Sequence, residues 1–296
     1  MVNKRSLQKI ISGLVVAPSF AASLYFVYGF ILWTGYLSLT KSRLFPNYQF
    51  AGLVSYARVW AQDRWHVAIG NLAIFGSLFI LICILLGALL AILLDQRIRI
   101  EGALRTIYLY PMAVSFIVSG TVWRWLLDPV VGIQQFMRDH GFPNFDFAWT
   151  QNAHLAVYAL VIAAVWQSSG FVMAIFLAAL RGVDQEIIRA AYLDGASLPR
   201  IYMTIVLPSI RPVFLTAIVV LGHIGIKSFD LVQALTAGGP GYASTLPANF
   251  MFQMTFGQSE LGMGAASAMM MLFTVMAIIV PYLYSELRGM GKERRG

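Results

Sequence analysis

The residues able to do chemistry stand in a few places along this chain. His223 and Lys227 are four apart and share one face if their segment is helical, and Asp230, three beyond Lys227, is a candidate ion partner. Trp166-Gln167-Ser168-Ser169-Gly170 combines a ring with amide and hydroxyl groups. Such a mixture suits a sugar, whose C–H face stacks on aromatics and whose hydroxyls need convergent polar partners. Each pattern has a plainer alternative. Lys227 can snorkel to an interface beside Asp230, and Ser and Gly also mediate ordinary helix packing in membranes. Hydrolytic and metal chemistry find no support. The four histidines (His66, His140, His154, His223) are scattered, the single cysteine, Cys83, lies in an apolar run, and there is no H-E-x-x-H or G-x-S-x-G. No G-x-x-x-x-G-K-[ST] loop occurs, and Gly291-Lys292 lacks both the earlier glycine and the following hydroxyl. Catalytic residues, metal ligands and cofactors are therefore not expected, and the chain offers no cradle for nucleotide phosphates.

The elements that position these groups follow from composition. Of the 296 residues, 59% are apolar and 11% charged, against about 25% charged in soluble domains. This excludes a soluble enzyme and a disordered chain and leaves an all-α polytopic membrane protein. A spanning helix needs about 20 mostly apolar residues. Six such stretches are expected, near 12–39, 68–94, 106–127, 153–180, 210–236 and 261–285. The fifth is interrupted by Lys227 and Asp230. Lys4, Arg5 and Lys9 resemble the basic start of a signal peptide, but the apolar run after them is too long, so a retained anchor helix is expected.

Charge sets orientation. With the N-terminus in the cytoplasm, fourteen Lys and Arg fall inside (Lys4, Arg5, Lys9, Arg97, Arg99, Arg105, Arg181, Arg189, Arg200, Arg211, Arg288, Lys292, Arg294, Arg295) and seven outside. This bias predicts both termini inside, and it reads the net charge of +8 as topology and contact with anionic membrane lipid, not nucleic acid. The organisation expected is a cytoplasmic N-terminus (1–11), a first helix with its outer loop (12–67), a five-helix core (68–285) carrying a cytoplasmic loop (181–209), and a cytoplasmic C-terminus (286–296). Trp60 and Trp65 in the first outer loop suit an amphipathic segment on the membrane surface. Asn71 is expected in an interhelical hydrogen bond. Gly262, Gly264, Ala265, Ala266 and Ser267 form a close-packing face, a candidate contact with a second subunit.

The inner loop RGVDQEIIRAAYLDGASLPRIYMTIVLPSIRP reads as two short helices. Asp184 caps the first, Gln185 to Leu193 contain no breaker, and Asp194-Gly195 turns the chain. Ser197 is placed to cap the second, with Pro199 in its first turn, and Pro208 and Pro212 mark re-entry. An ordered helix–turn–helix there is either a docking element, with small Ala190 and Ala191 flanked by Ile187, Ile188 and Leu193, or an amphipathic loop resting on lipid.

Ala190-Ala191-x-x-Asp194-Gly195-Ala196, followed by Tyr202, Ile205 and Leu207-Pro208, resembles the signature loop of ATP-binding-cassette (ABC) importer permeases, E-A-A-x-x-x-G with the sugar branch's D-G-A extension. Arg189 stands where that motif has glutamate, and Glu186, one turn earlier, is the acidic substitute within reach. Trp125-Leu126-Leu127-Asp128-Pro129 with Gly132, Arg105 to Pro111, Phe229-Asp230-Leu231 and Leu235-Thr236-Ala237-Gly238-Gly239-Pro240-Gly241 also resemble sugar permeases. The set is most similar to the first permease subunit of proteobacterial glucose/mannose importers.

The resemblance implies the type I importer permease fold in the bacterial inner membrane. It implies a second homologous permease as heterodimer partner, two ABC ATPase subunits and a periplasmic sugar-binding protein. It assigns coupling to the ATPase to Glu186, Arg189, Ala190, Ala191, Asp194, Gly195, Ala196, Tyr202 and Pro208. Trp166, Gln167, Ser168, His223, Lys227 and Asp230 are the candidates for the substrate pathway. Another carbohydrate or polyol, such as glycerol phosphate or a disaccharide, is the alternative cargo. A self-contained secondary transporter is the rival mechanism, but the chain has no two-half repeat and no mid-membrane carboxylate.

Overall fold

The computed structural model describes residues 15–96 and 98–293, with side chains to residue 284. Lys4, Arg5, Lys9, Arg97, Arg294 and Arg295 of the orientation count, and residues 12–14 of the first expected span, lie outside the described residues. The helices are α1 (Val15–Ser38), α2 (Val54–Trp60), α3 (Asp63–Asp95), α4 (Glu101–Ala113), α5 (Phe116–Leu126), α6 (Ile133–Asp139) and α7 (Ala156–Arg181). Then follow α8 (Gln185–Leu193), α9 (Leu198–Ser209), α10 (Arg211–Ile226), α11 (Asp230–Leu235), α12 (Pro247–Phe252) and α13 (Leu261–Glu293). The β pairing among the described residues is one antiparallel bridge, Thr40 to Phe50.

Four helices, α1, α3, α7 and residues 261–284 of α13, are long and apolar enough to cross a membrane. Two bent pairs, α4 with α5 at 100° and α9 with α10 at 68°, raise the number to six if each is one span. The third and fifth expected spans thus differ from the straight helices the sequence suggests. Pro111 has no N–H for the ladder, the chain tightens to a 3-10 turn over Tyr110–Ala113, and Val114 is extended. Ser115 then starts α5 afresh, its Oγ accepting the Val118 N–H at 3.3 Å. The fifth span ends early, at Ile226, with Lys227 as its C-cap and a separate helix opening at Asp230.

The chain divides into two compact units. The first comprises residues up to 62 with 251–270. In it Gly262 N–H donates to Ser42 O at 2.8 Å, and a Cβ on Gly264 would lie 1.9 Å from Thr255 Oγ1. The close-packing face expected on the last helix packs, at these glycines, on the chain's own residues. Arg58 and Arg43 both reach Glu260, at 2.9 and 3.2 Å.

The second unit comprises residues 63–250 with 271 onward. Its central helix is α7, 67% buried over its most apolar stretch. Small side chains (Ala156, Ala159, Ala163, Ala164) let α7 sit among its neighbours, and Gly170 meets the backbone of α4 so closely that a Cβ would lie 1.9 Å from Tyr108 O. Phe75 and Phe79 of α3 are fully buried and stacked at 5.5 Å, while Phe176 of α7 packs on Phe214 of α10 at 4.5 Å. Cys83 is fully buried in this core as a small apolar residue. Trp65 is 3% exposed and packs on Phe250 at 5.1 Å, so it is a core residue and not the surface anchor its charged neighbours suggest. Asn71 donates to Thr245 O at 3.0 Å, a helix-to-loop bond in place of the helix-to-helix bond expected.

Candidate functional site: an ordered loop with an exposed helix face

The loop between α7 and α10 is built by local signals. Asp184 is extended and its Oδ1 accepts the Glu186 N–H at 2.8 Å, satisfying a donor that a helix start leaves free. Glu186 in the first turn complements the helix dipole. At the other end Gly195 takes φ +78°, the left-handed conformation that glycine adopts without a Cβ penalty. Gly195 N–H bonds Tyr192 O and Ala196 N–H bonds Ala191 O, both at 3.0 Å, which is the Schellman closure. Both ends of α8 are thus fastened by their own sequence.

Beyond the turn Ser197 is extended but makes no side-chain cap, unlike the expectation; α9 starts on backbone bonding with Pro199 in its first turn. Tyr202–Val206 widens to a π-turn just ahead of Pro208, which cannot donate to the ladder. Ile201 and Val206 are buried and root α9 in the core.

Helix α8 presents two different faces. Ala191 is buried, and Ile188 packs against the core. Glu186, Arg189, Ala190 and Leu193 point outward and are exposed, Leu193 to 90%. Their spacing puts Glu186, Ala190 and Leu193 on one stripe. Leu193 thus leaves nearly all of its apolar surface uncovered among the described residues; burying a leucine contributes about 1.5–3 kcal/mol.

The sequence-assigned coupling residues divide accordingly. Glu186, Arg189, Ala190, Asp194 and Gly195 lie on the exposed side, while Ala196 and Pro208 are half-buried. Tyr202 turns inward, 9% exposed, and its hydroxyl donates to Asp95 Oδ2 at 2.5 Å while accepting from Gln96 Nε2 at 2.9 Å. Asp95 and Gln96 were not singled out by sequence. The available signal was a carboxylate at the C-terminal end of a long apolar helix, where the dipole disfavours negative charge. Beside α8 lies an open cleft of about 520 Å³, lined by Asp95, Arg181, Gln185, Ile188 and Tyr202 among others. Arg181 at its rim pairs with Glu101 at 2.6 Å.

The polar residues of the apolar helices are not gathered into one site. Trp166 meets Trp123 edge-on at 6.0 Å and lines an apolar cavity of about 560 Å³. Gln167 and Ser168 face elsewhere, onto a cavity of about 260 Å³ with Phe116, Phe171 and Ile224. Gln167 Nε2 donates to Val114 O at 2.6 Å, at the break between α4 and α5, while its Oε1 is buried without a partner. His223, Lys227 and Asp230 are exposed and line neither cavity. The ion pairs among the described residues are those of Glu260 and of Arg181; Lys227 and Asp230 do not form one.

Known proteins share both sequence and fold with this chain. The family model described as "Binding-protein-dependent transport system inner membrane component" matches residues 83–288, which include the whole loop. A "Probable ABC transporter permease protein" of Pyrococcus horikoshii is 37% identical over 266 residues, covering 89% of this chain and 91% of the relative. A xylose/arabinose import permease protein of Haloferax volcanii is 34% identical over 245 residues, covering 82% of this chain and 77% of that one. In fold, the chain superposes with a TM-score of 0.82 on a chain of a bacterial ABC transporter involved in alginate import, at 17% identity, covering 96% of this chain and 99% of that one. A match over most of the chain, at the level of both family and relative, leads to one conclusion: the chain belongs to the family of inner membrane components of binding-protein-dependent transport systems, the permease subunits of ABC importers.

Proposed function

We propose that this permease subunit carries a carbohydrate, a glucose/mannose-type monosaccharide, across the inner membrane. It forms half of the pathway as a heterodimer with a second homologous permease, is powered by two ABC ATPase subunits, and receives the sugar from a periplasmic binding protein. In this reading the two bent pairs are spans, six in all. Residues 1–11 and 286–296 face the cytoplasm, residues 12–67 supply the first span and outer loop, and the core of 68–285 presents 181–209 to the ATPase. The carrying observation is the outward stripe Glu186–Ala190–Leu193 with Arg189, on a helix capped at both ends and turned away from its own core. A capped helix transmits a push that a flexible connector would absorb. Ala190 lets a partner approach closely, Leu193 supplies the apolar anchor, and Glu186 supplies the acid that Arg189 displaces from the family motif.

On the solute side, the unpartnered Gln167 Oε1 beside Ser168 supports a passage that offers hydrogen bonds to sugar hydroxyls. Trp166, His223, Lys227 and Asp230 complete the set assigned to this passage by sequence. The relative named for xylose/arabinose and the fold neighbour named for alginate differ in cargo. A disaccharide or a polyol phosphate is therefore the second reading. Reconstitution tests the class: the subunit alone in liposomes under an ion gradient is inert, and uptake appears once sister permease, ATPase, binding protein and ATP are supplied. Uptake by the isolated chain defeats this function. Competition of labelled glucose by mannose, xylose, maltose and glycerol 3-phosphate in the full system names the cargo.

A further inference from the structure

Ala191 and Ile188 seat α8 on the core along one line, and beside them an open cleft of about 520 Å³ leaves the rest of that side unsupported. A helix backed only in part would tilt under a push from outside unless something ties across the cleft. Three observations identify what does. Asp95 sits at the C-terminal end of α3, where the helix dipole disfavours a carboxylate, yet that carboxylate accepts the Tyr202 O–H at 2.5 Å. Gln96, the next residue, donates its side-chain amide to the same hydroxyl at 2.9 Å. Tyr202, seven residues beyond the Gly195 turn, is nine-tenths buried. A hydrogen bond to an ionised acceptor is about twice as strong as a neutral one, and this one ties residues 107 apart in sequence. The other tie near the loop, Arg181 to Glu101, is more exposed and so more readily screened.

We propose that Asp95 and Gln96 are positioning residues for energy coupling: by holding the Tyr202 hydroxyl they fasten the loop carrying α8 to the end of α3, so that a push on α8 moves α3 instead of bending the loop. Helix α3 carries Phe75 and Phe79 in the centre of the core, and that core joins α3, α7 and α10. The latch thus leads from the exposed helix to the element that lines the apolar interior. This inference rests on the docking reading of α8.

The test is the number of ATP molecules hydrolysed per solute imported by the complete transporter in liposomes. Tyr202→Phe keeps the ring and removes the donor. It should raise the ratio about threefold or more, with the amount of chain and the capture of ATPase unchanged. Asp95→Asn retains an acceptor but loses its charge, so it should raise the ratio less than Tyr202→Phe does. Asp95→Leu should match Tyr202→Phe, and the double variant should be no worse than either alone, since both remove one bond. A wild-type ratio in Tyr202→Phe overturns the latch, and so does a loss of uptake and hydrolysis in step with lower chain levels, which marks a folding role only. Ala190→Arg, on the outward stripe, separates the two ideas. If it abolishes ATPase capture while Tyr202→Phe leaves the ratio unchanged, the latch alone falls. If capture survives it, the docking reading falls and the latch with it.

Discussion

The loop between α7 and α10 and the polar residues within the apolar helices are fixed in opposite ways. In the loop, each end of α8 is set by residues next to it: Asp184 caps, Gly195 turns, and Ala196 closes on Ala191. In the membrane region, three of the residues singled out are placed by something distant in sequence, while hydroxyls such as Ser77 and Thr121 bond one turn back on their own helix. Gln167 reaches back to Val114, Asn71 reaches forward to Thr245, and Trp166 meets Trp123. Local fixing suits a part that must keep its shape while a partner pushes it. Distant fixing suits a part whose helices must shift against one another, because those bonds hold only one arrangement.

Substitutions in the two regions should therefore fail differently. The largest effect is expected at Gly170. A Cβ there would collide with Tyr108 O, backbone against backbone, so Gly170→Ala should destabilise by several times the about 1 kcal/mol of a typical mutation. The readout is the amount of intact chain in membranes, and a wild-type level would mean that α4 and α7 can separate freely. At Gly195 no atom lies within 4 Å of the added Cβ, and only the φ of +78° objects. Gly195→Val should cost about 1–3 kcal/mol locally, leaving insertion intact while uptake collapses with ATP still hydrolysed. Normal uptake in that variant would remove the requirement for a rigid α8.

Gln167→Leu loses the bond to Val114 O and also removes the orphaned acceptor. A net stability change of about 1 kcal/mol is expected, with a rise in the apparent KM for solute at unchanged ATPase capture. An unchanged KM would take Gln167 out of the solute path. The smallest effect is expected in the other unit. Hydrogen bonding to Arg58, with the charges of Arg58 and Arg43, holds the Glu260 carboxyl below its ordinary range. A carboxylate lowered on folding adds stability that is present above its unfolded pKa, about 4.3, and is lost as pH falls through the folded value. Both arginines are partly exposed, so the contribution is small. Thermal unfolding of Glu260→Gln should depend less on pH below that point than the wild type does, and superimposable pH profiles would dismiss the pair.

The same division decides how much was legible in advance. The two-helix loop could be read because caps and turns are carried by neighbouring residue types. The long apolar helices could be read from length and composition. The bend at Val114 was missed because Pro111 is compatible with either a kink or a first turn, and only Ser115 taking up a cap decides it. Tyr202 enters the coupling set by motif spacing alone, and spacing says nothing of which way its ring faces; it is buried, on a π-turn. Asp95 lies 107 residues away from its partner, and no local pattern joins them. Trp166 and Gln167, adjacent in sequence, diverge to separate cavities because each residue turns about 100° round the helix, a step that composition does not place against the neighbouring helices.

The central claim is that the outward stripe of α8 is covered by a separate ATPase. A single thiol tests it: Leu193→Cys creates an exposed cysteine, while the native Cys83 is buried. Labelling by a membrane-impermeant maleimide should be rapid in the permease pair alone and strongly slowed in the assembled transporter. Equal labelling with and without the ATPase would contradict the account.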